Sequence, residues 1–169
     1  RNFEYYSEDP LVAGEMAAAM VEGIQSEGVG ASPKHFACNN KETNRKDSDS
    51  RVSERALREI YLKGFEICVK KAQPLTVMSS YNLLNGLWAS QNRELLTDIL
   101  RGEWGFEGMV TTDWYTHAPQ YTEIAAGNDV KMGCGDPAHT LKMMREGKLN
   151  REDVKTSVKR LLEMILKLA

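Results

Sequence analysis

Apolar positions fall along this chain in two alternating rhythms, three- and four-residue steps in some segments and short continuous runs in others. The first rhythm predicts helices and the second buried strands. A helix is expected from about Pro10 to Glu27, with Asp9 as N-cap, Pro10 in its first turn and Gly28 as the stop. Val29 to Ala37 reads as a short strand ending in Lys34-His35-Phe36-Ala37, and the polar run from Asn39 to Ser50 as a long loop. A second helix opens at Ser53 and closes near Ala72, with Leu57, Ile60, Tyr61, Gly64, Phe65 and Cys68 on one face. Leu75 to Tyr81 is a strand, Asn82 to Gly86 a turn, and about Asn92 to Trp104 a helix with Leu95, Leu96, Ile99 and Leu100 inward. Met109 to Trp114 is the next strand, followed by a short helix from about Gln120 to Ala126 and a brief strand from Asp129 to Met132. Two helices finish the chain, about Pro137 to Arg145 and Arg151 to Leu168; Val154, Val158, Leu161, Ile165 and Leu168 share a face of the second.

Four strands separated by helices give an α/β fold of parallel βα repeats with right-handed crossovers. An open sheet and part of a closed (β/α)8 TIM-type barrel both satisfy that order. Neither G-x-G-x-x-G nor G-x-x-x-x-G-K-[ST] occurs, which removes the usual phosphate-cradling reasons for an open doubly wound sheet. Polar residues recur instead at the strand ends: Lys34 and His35, Ser80 and Tyr81, Asp113 and Trp114. Such strand ends are where a barrel keeps its active site.

With 24 acidic against 22 basic side chains, the net charge of -2 gives no electrostatic reason to expect a nucleic-acid or anionic-membrane partner. The 41% hydrophobic content suffices for a buried core, and no apolar run is long enough to span a bilayer. Cys38, Cys68 and Cys134 are an odd number without C-x-x-C spacing; they read as reduced thiols and favour a cytoplasmic location. The text opens at Arg1, in what looks like the middle of a longer sequence.

Asp113 presents a carboxylate at a strand end beside the indole of Trp114, a pairing that suits a sugar. The carboxylate can attack an anomeric carbon, and the ring face can pack on pyranose C–H groups. Most single acids are merely solvated or capping; position at a strand end is what raises this one. Lys34 and His35 could donate to sugar hydroxyls and hold a nearby aspartate ionised, although a solvated lysine and a backbone-satisfied histidine are the plainer reading of that dipeptide. Tyr81 could hydrogen-bond the nucleophile, whereas Met78 by composition alone is core filling. His117 and His139 stand without metal-ligand spacing, and neither metal nor cofactor is expected.

Five strings carry a resemblance: Arg1-Asn2-Phe3-Glu4-Tyr5-Tyr6-Ser7-Glu8-Asp9-Pro10, Lys34-His35-Phe36, Ser53-Glu54-Arg55-Ala56-Leu57-Arg58-Glu59-Ile60-Tyr61-Leu62, Met78-Ser79-Ser80-Tyr81-Asn82 and Thr112-Asp113-Trp114. Together and in order they resemble glycoside hydrolase family 3, of the β-glucosidase and β-xylosidase type. The resemblance implies a retaining β-glycosidase whose barrel contributes strands five to eight here, residues 1–169 being its C-terminal half. It assigns Asp113 as the nucleophile of a covalent glycosyl-enzyme intermediate. Arg1, Lys34, His35 and Tyr81 would hold the sugar on the non-reducing side of the scissile bond, and Met78 and Trp114 would shape its pocket. The first half-barrel and the α/β sandwich domain carrying the acid/base glutamate have no counterpart in the text. The hexosaminidase branch, with its K-H-F-P-G-H-G motif, is disfavoured because Asn39 to Ser50 contains no histidine. The expected partners are a β-glycoside or oligosaccharide and either the remainder of the enzyme or a second copy that completes the barrel. Unpaired edge strands would otherwise make the isolated chain dimerise or aggregate. A catalytically silent sugar-binding or structural half-barrel is the alternative.

Overall fold

The computed structural model describes residues 4–169, and the elements run helix, strand and helix much as the apolar rhythm predicts. Helix α1 spans Pro10–Ser26, and Asp9 caps it by accepting from the amides of Leu11 and Val12. Strand β1 is the pair Asp49–Ser50. Helices α2 (Glu54–Ala56) and α3 (Lys63–Ala72) flank a π-helical stretch, Leu57–Tyr61. Strand β2 (Thr76–Ser79) leads into a small hairpin, β3 (Leu83–Leu84) and β4 (Leu87–Trp88). A π-helical segment, Glu94–Glu103, precedes β5 (Met109–Trp114), α4 (Gln120–Ala126) and β6 (Val130–Met132). Helices α5 (Pro137–Arg145) and α6 (Arg151–Leu168) close the chain.

The main sheet is parallel, in the order β2-β5-β6. Residues 31–36 add a fourth extended line on the free side of β2: Thr76 N–H donates to Ala31 O, Phe36 N–H to Met78 O, and Ser80 N–H to Phe36 O. Only Phe36, bridged to Ser79, meets strand geometry there, so the strand expected over Val29 to Ala37 is an irregular edge rather than a regular strand. Val77 and Val110, paired in register, are fully buried in one core with Phe36, Leu95, Leu96, Ile99 and Leu100. Because strand side chains alternate, the intervening Met78, Thr111 and Asp113 point to the opposite face of the sheet.

Further expectations need correction. The amide of Leu62 donates to the carbonyl of Leu57, a five-residue step that inserts an extra residue into the helix. That insertion rotates the register, so Ile60 and Tyr61 are exposed and Leu62 is buried. The presumed turn over Asn82 to Gly86 is instead an antiparallel hairpin, with Asn85 and Gly86 both at positive φ (51° and 90°). Its first strand pairs with β1, which places a strand inside the presumed loop of 39–50. Finally, the apolar face expected of the last helix is largely bare: Val158, Ile165 and Leu168 are exposed, and Ser157 is the buried residue of α6. A groove of about 420 Å³ along that helix is lined by Val154, Val158, Leu162 and Leu166, and none of the strand-end polar residues lines it. On α1, Leu11, Val12, Met16 and Met20 are exposed as well.

Candidate active site

Asp113 occupies the second-to-last position of β5, where the pairing with β6 slips between Thr111 and Trp114. Such irregularities re-aim side chains at the end of a ladder. The carboxylate is 16% exposed, sheltered but open to a ligand. His35 approaches it with Nε2 at 3.4 Å from Oδ2, while its Nδ1 lies 3.9 Å from a carboxylate oxygen of Glu4. The imidazole is thus bracketed by two acids. The backbone amide of His35 donates to the Tyr5 hydroxyl at 3.2 Å, and Lys34 Nζ lies 3.3 Å from Glu4 Oε1.

The stretch carrying these residues is anchored after Phe36. Ser80 Oγ and Asn82 Nδ2 both donate to the Ala37 carbonyl, and Ser50 Oγ donates to that of Cys38. The end of β2 therefore fixes the place of His35 and, one residue beyond Ser80, of Tyr81. The buried Tyr81 phenol lies close enough to the Asp113 carboxylate for that charge to act on it. Burial first, and the neighbouring carboxylate second, push its pKa up to about 12. Tyr81 consequently remains a protonated donor at every pH where a protein of this kind is handled. Replacing Asp113 with Asn should lower the Tyr81 pKa, because a negative neighbour is removed. The fall should stop short of 10, since burial, the larger cause, remains. Spectrophotometric titration of phenolate in the variant, with Tyr81→Phe as the blank, checks this; an unchanged midpoint would separate the two groups.

The residues brought together are His35, Tyr81 and Asp113, with Lys34 joined through Glu4. Met78 lies on the sheet face that also carries Asp113, and Trp114 stands at the rim, 48% exposed. Arg1 lies outside the described residues. The structure adds Glu4, Arg45 and Lys46 to the residues to which the sequence points. The Arg45 guanidinium and the Lys46 ammonium each lie 4.9 Å from the centre of the Tyr81 ring, which turns part of the polar loop into a cationic lid over the phenol. No signal in the loop's composition distinguishes these two cations from solvated ones. Among the described residues no group of three His, Cys, Asp or Glu side chains assembles that could hold a metal ion.

This arrangement gathers a carboxylate, an imidazole and a phenol beside an aromatic rim, groups whose chemistry suits a polyhydroxylated ligand. Residues 1–164 match the glycosyl hydrolase family 3 N terminal domain. The chain is 58% identical over 154 residues, 91% of its length, to beta-glucosidase A of Butyrivibrio fibrisolvens, of which it covers 19%. It is 46% identical over 171 residues, 99% of its length, to an exo-alpha-(1->6)-L-arabinopyranosidase of Bifidobacterium breve, of which it covers 22%. Beta-glucosidase 3B from Thermotoga neapolitana, solved in complex with glucose, superposes with a TM-score of 0.96 at 50% identity, over 99% of this chain and 25% of that one. The chain therefore spans about a fifth of the length of the curated relatives it matches. These relatives are glycoside hydrolases, and the chain belongs to glycosyl hydrolase family 3, within its N-terminal domain.

Proposed function

We propose that this chain is the nucleophile-bearing part of a retaining β-glycosidase of β-glucosidase type. Asp113 attacks the anomeric carbon, the leaving oxygen takes a proton from an acid supplied elsewhere in the complete enzyme, and water later releases the sugar with the same anomeric configuration. Lys34, His35 and Tyr81 hold the sugar hydroxyls, as does Arg1 by its motif; Met78 and Trp114 shape the pocket. Arg45, close over the Tyr81 ring, adds a cationic wall to it. The observation that carries the reading is the convergence on Asp113 of His35 Nε2, at 3.4 Å, and the Tyr81 phenol.

In the same reading residues 1–169 are strands five to eight of a (β/α)8 barrel, the remainder of which covers the bare faces of α1 and α6. Support comes from the position of those faces on the first and last helices and from the four parallel extended lines between them. The stereochemical outcome tests the mechanism. Proton NMR during hydrolysis of an aryl β-glucoside by the complete enzyme should show β-glucose as the first product, with the α anomer appearing only by mutarotation. α-Glucose formed first would rule out double displacement.

A further inference from the structure

Tyr115 follows Trp114 directly and is a large aromatic residue held at φ 59°, a left-handed conformation that bulky side chains rarely adopt. It is also 53% exposed, so packing into the core does not hold it there. Contacts at and just beyond it do. Lys46 Nζ donates to the Tyr115 carbonyl at 3.2 Å and lies 5.9 Å from its ring centre. The same ammonium is 4.9 Å from the Tyr81 ring, which ties both rings to one mouth. Beyond Tyr115, the buried Lys131 donates to the carbonyls of Thr116 and Ala118 and pairs with Glu123 at 2.9 Å. At Gly133, a Cβ would meet the Tyr115 ring at 3.1 Å and Trp114 Nε1 at 3.3 Å. Both aromatic side chains therefore converge on one stretch of side-chain-free backbone and stand next to each other.

We infer that Tyr115 extends the Trp114 surface outward into a platform for the leaving group, the aglycone or next sugar, and so sets specificity on that side of the bond. This rests on the reading of Asp113 as nucleophile: Tyr115 stands two residues beyond it, exposed, at the mouth where Lys46 lies beside both the Tyr81 and the Tyr115 rings. Exposed aromatic faces suit the C–H patches of a sugar or an aryl ring.

The test uses the complete enzyme with Tyr115→Gly, which suits the backbone, and Tyr115→Phe, which keeps the ring. The ratio of kcat/KM for an aryl β-glucoside to that for methyl β-glucoside should fall about tenfold in Tyr115→Gly, the scale of one lost stacking contact. Tyr115→Phe should retain the ratio, and the inhibition constant of glucose should move less than the ratio does. An unchanged ratio in Tyr115→Gly, or a parallel loss for both substrates together with weaker glucose inhibition, would overturn the inference while Asp113→Asn stayed inactive. Retained activity in Asp113→Asn would instead remove the underlying reading, and this one with it.

Discussion

Asp113→Asn in the complete enzyme should lower kcat for aryl β-glucosides by at least about 10⁴-fold, the scale expected when a nucleophile is deleted from an otherwise intact site. The amide nearly matches the carboxylate in size, so His35 and Tyr81 keep a neighbour of the same shape, and sugar binding should survive. What disappears is the electron pair that forms the bond to the anomeric carbon and the negative charge that stabilises the oxocarbenium-like transition state. Glucose inhibition within a few-fold of wild type, combined with lost turnover, would place the defect in chemistry rather than folding. Steady-state kinetics with a titration of glucose as inhibitor provides both numbers.

Asp129 should show the largest effect on stability. Its side chain is wholly buried, with Arg101 Nη2 at 2.8 Å from Oδ2 and Arg160 Nη1 at 3.1 Å from Oδ1. The Val110 amide also donates to Oδ2, and the Asp129 amide donates back to the Val110 carbonyl. One carboxylate thus joins β5, the π-helical segment before it, the residue ahead of β6, and α6. Burial lowers the Arg101 pKa to about 10, with the Asp129 charge acting against that shift. Asp129→Ala removes the compensating charge and leaves a guanidinium that is 10% exposed facing another cation. Stripping one partner from a buried ion pair costs about 3–5 kcal/mol, and the Val110 N–H loses its acceptor too. Chemical denaturation monitored by tryptophan fluorescence should register a loss of that size. A loss comparable to that of an exposed pair such as Lys155 with Glu152 would mean that the triad is solvated in solution.

Element type and order were legible because helix and strand periods differ along the chain and because Asp9, Pro10 and Gly28 carry their own capping chemistry. The Asn85-Gly86 pair between two apolar dipeptides also carries a hairpin signal, which turn composition alone reduces to a plain turn. The π-helical step at Leu57 leaves no trace in composition, and it decides which of Ile60, Tyr61 and Leu62 faces inward. For the last helix, periodicity identified an apolar stripe correctly but carried no information on whether anything in the chain covers it. Strand-end position alone points to Asp113, His35 and Tyr81. Glu4, Arg45 and Lys46 escaped because they reach the site from loops, through contacts between segments far apart in sequence; only the fold brings them near.

The central claim is that the Asp113 carboxylate forms the covalent bond to the sugar. Incubating the complete enzyme with an activated 2-deoxy-2-fluoro β-glucoside slows release of the sugar more than attack on it, so the intermediate accumulates. Proteolysis and peptide mass spectrometry should then find one fluoroglucosyl group on the peptide spanning β5, attached at Asp113. A stoichiometric label on any other residue would contradict the account.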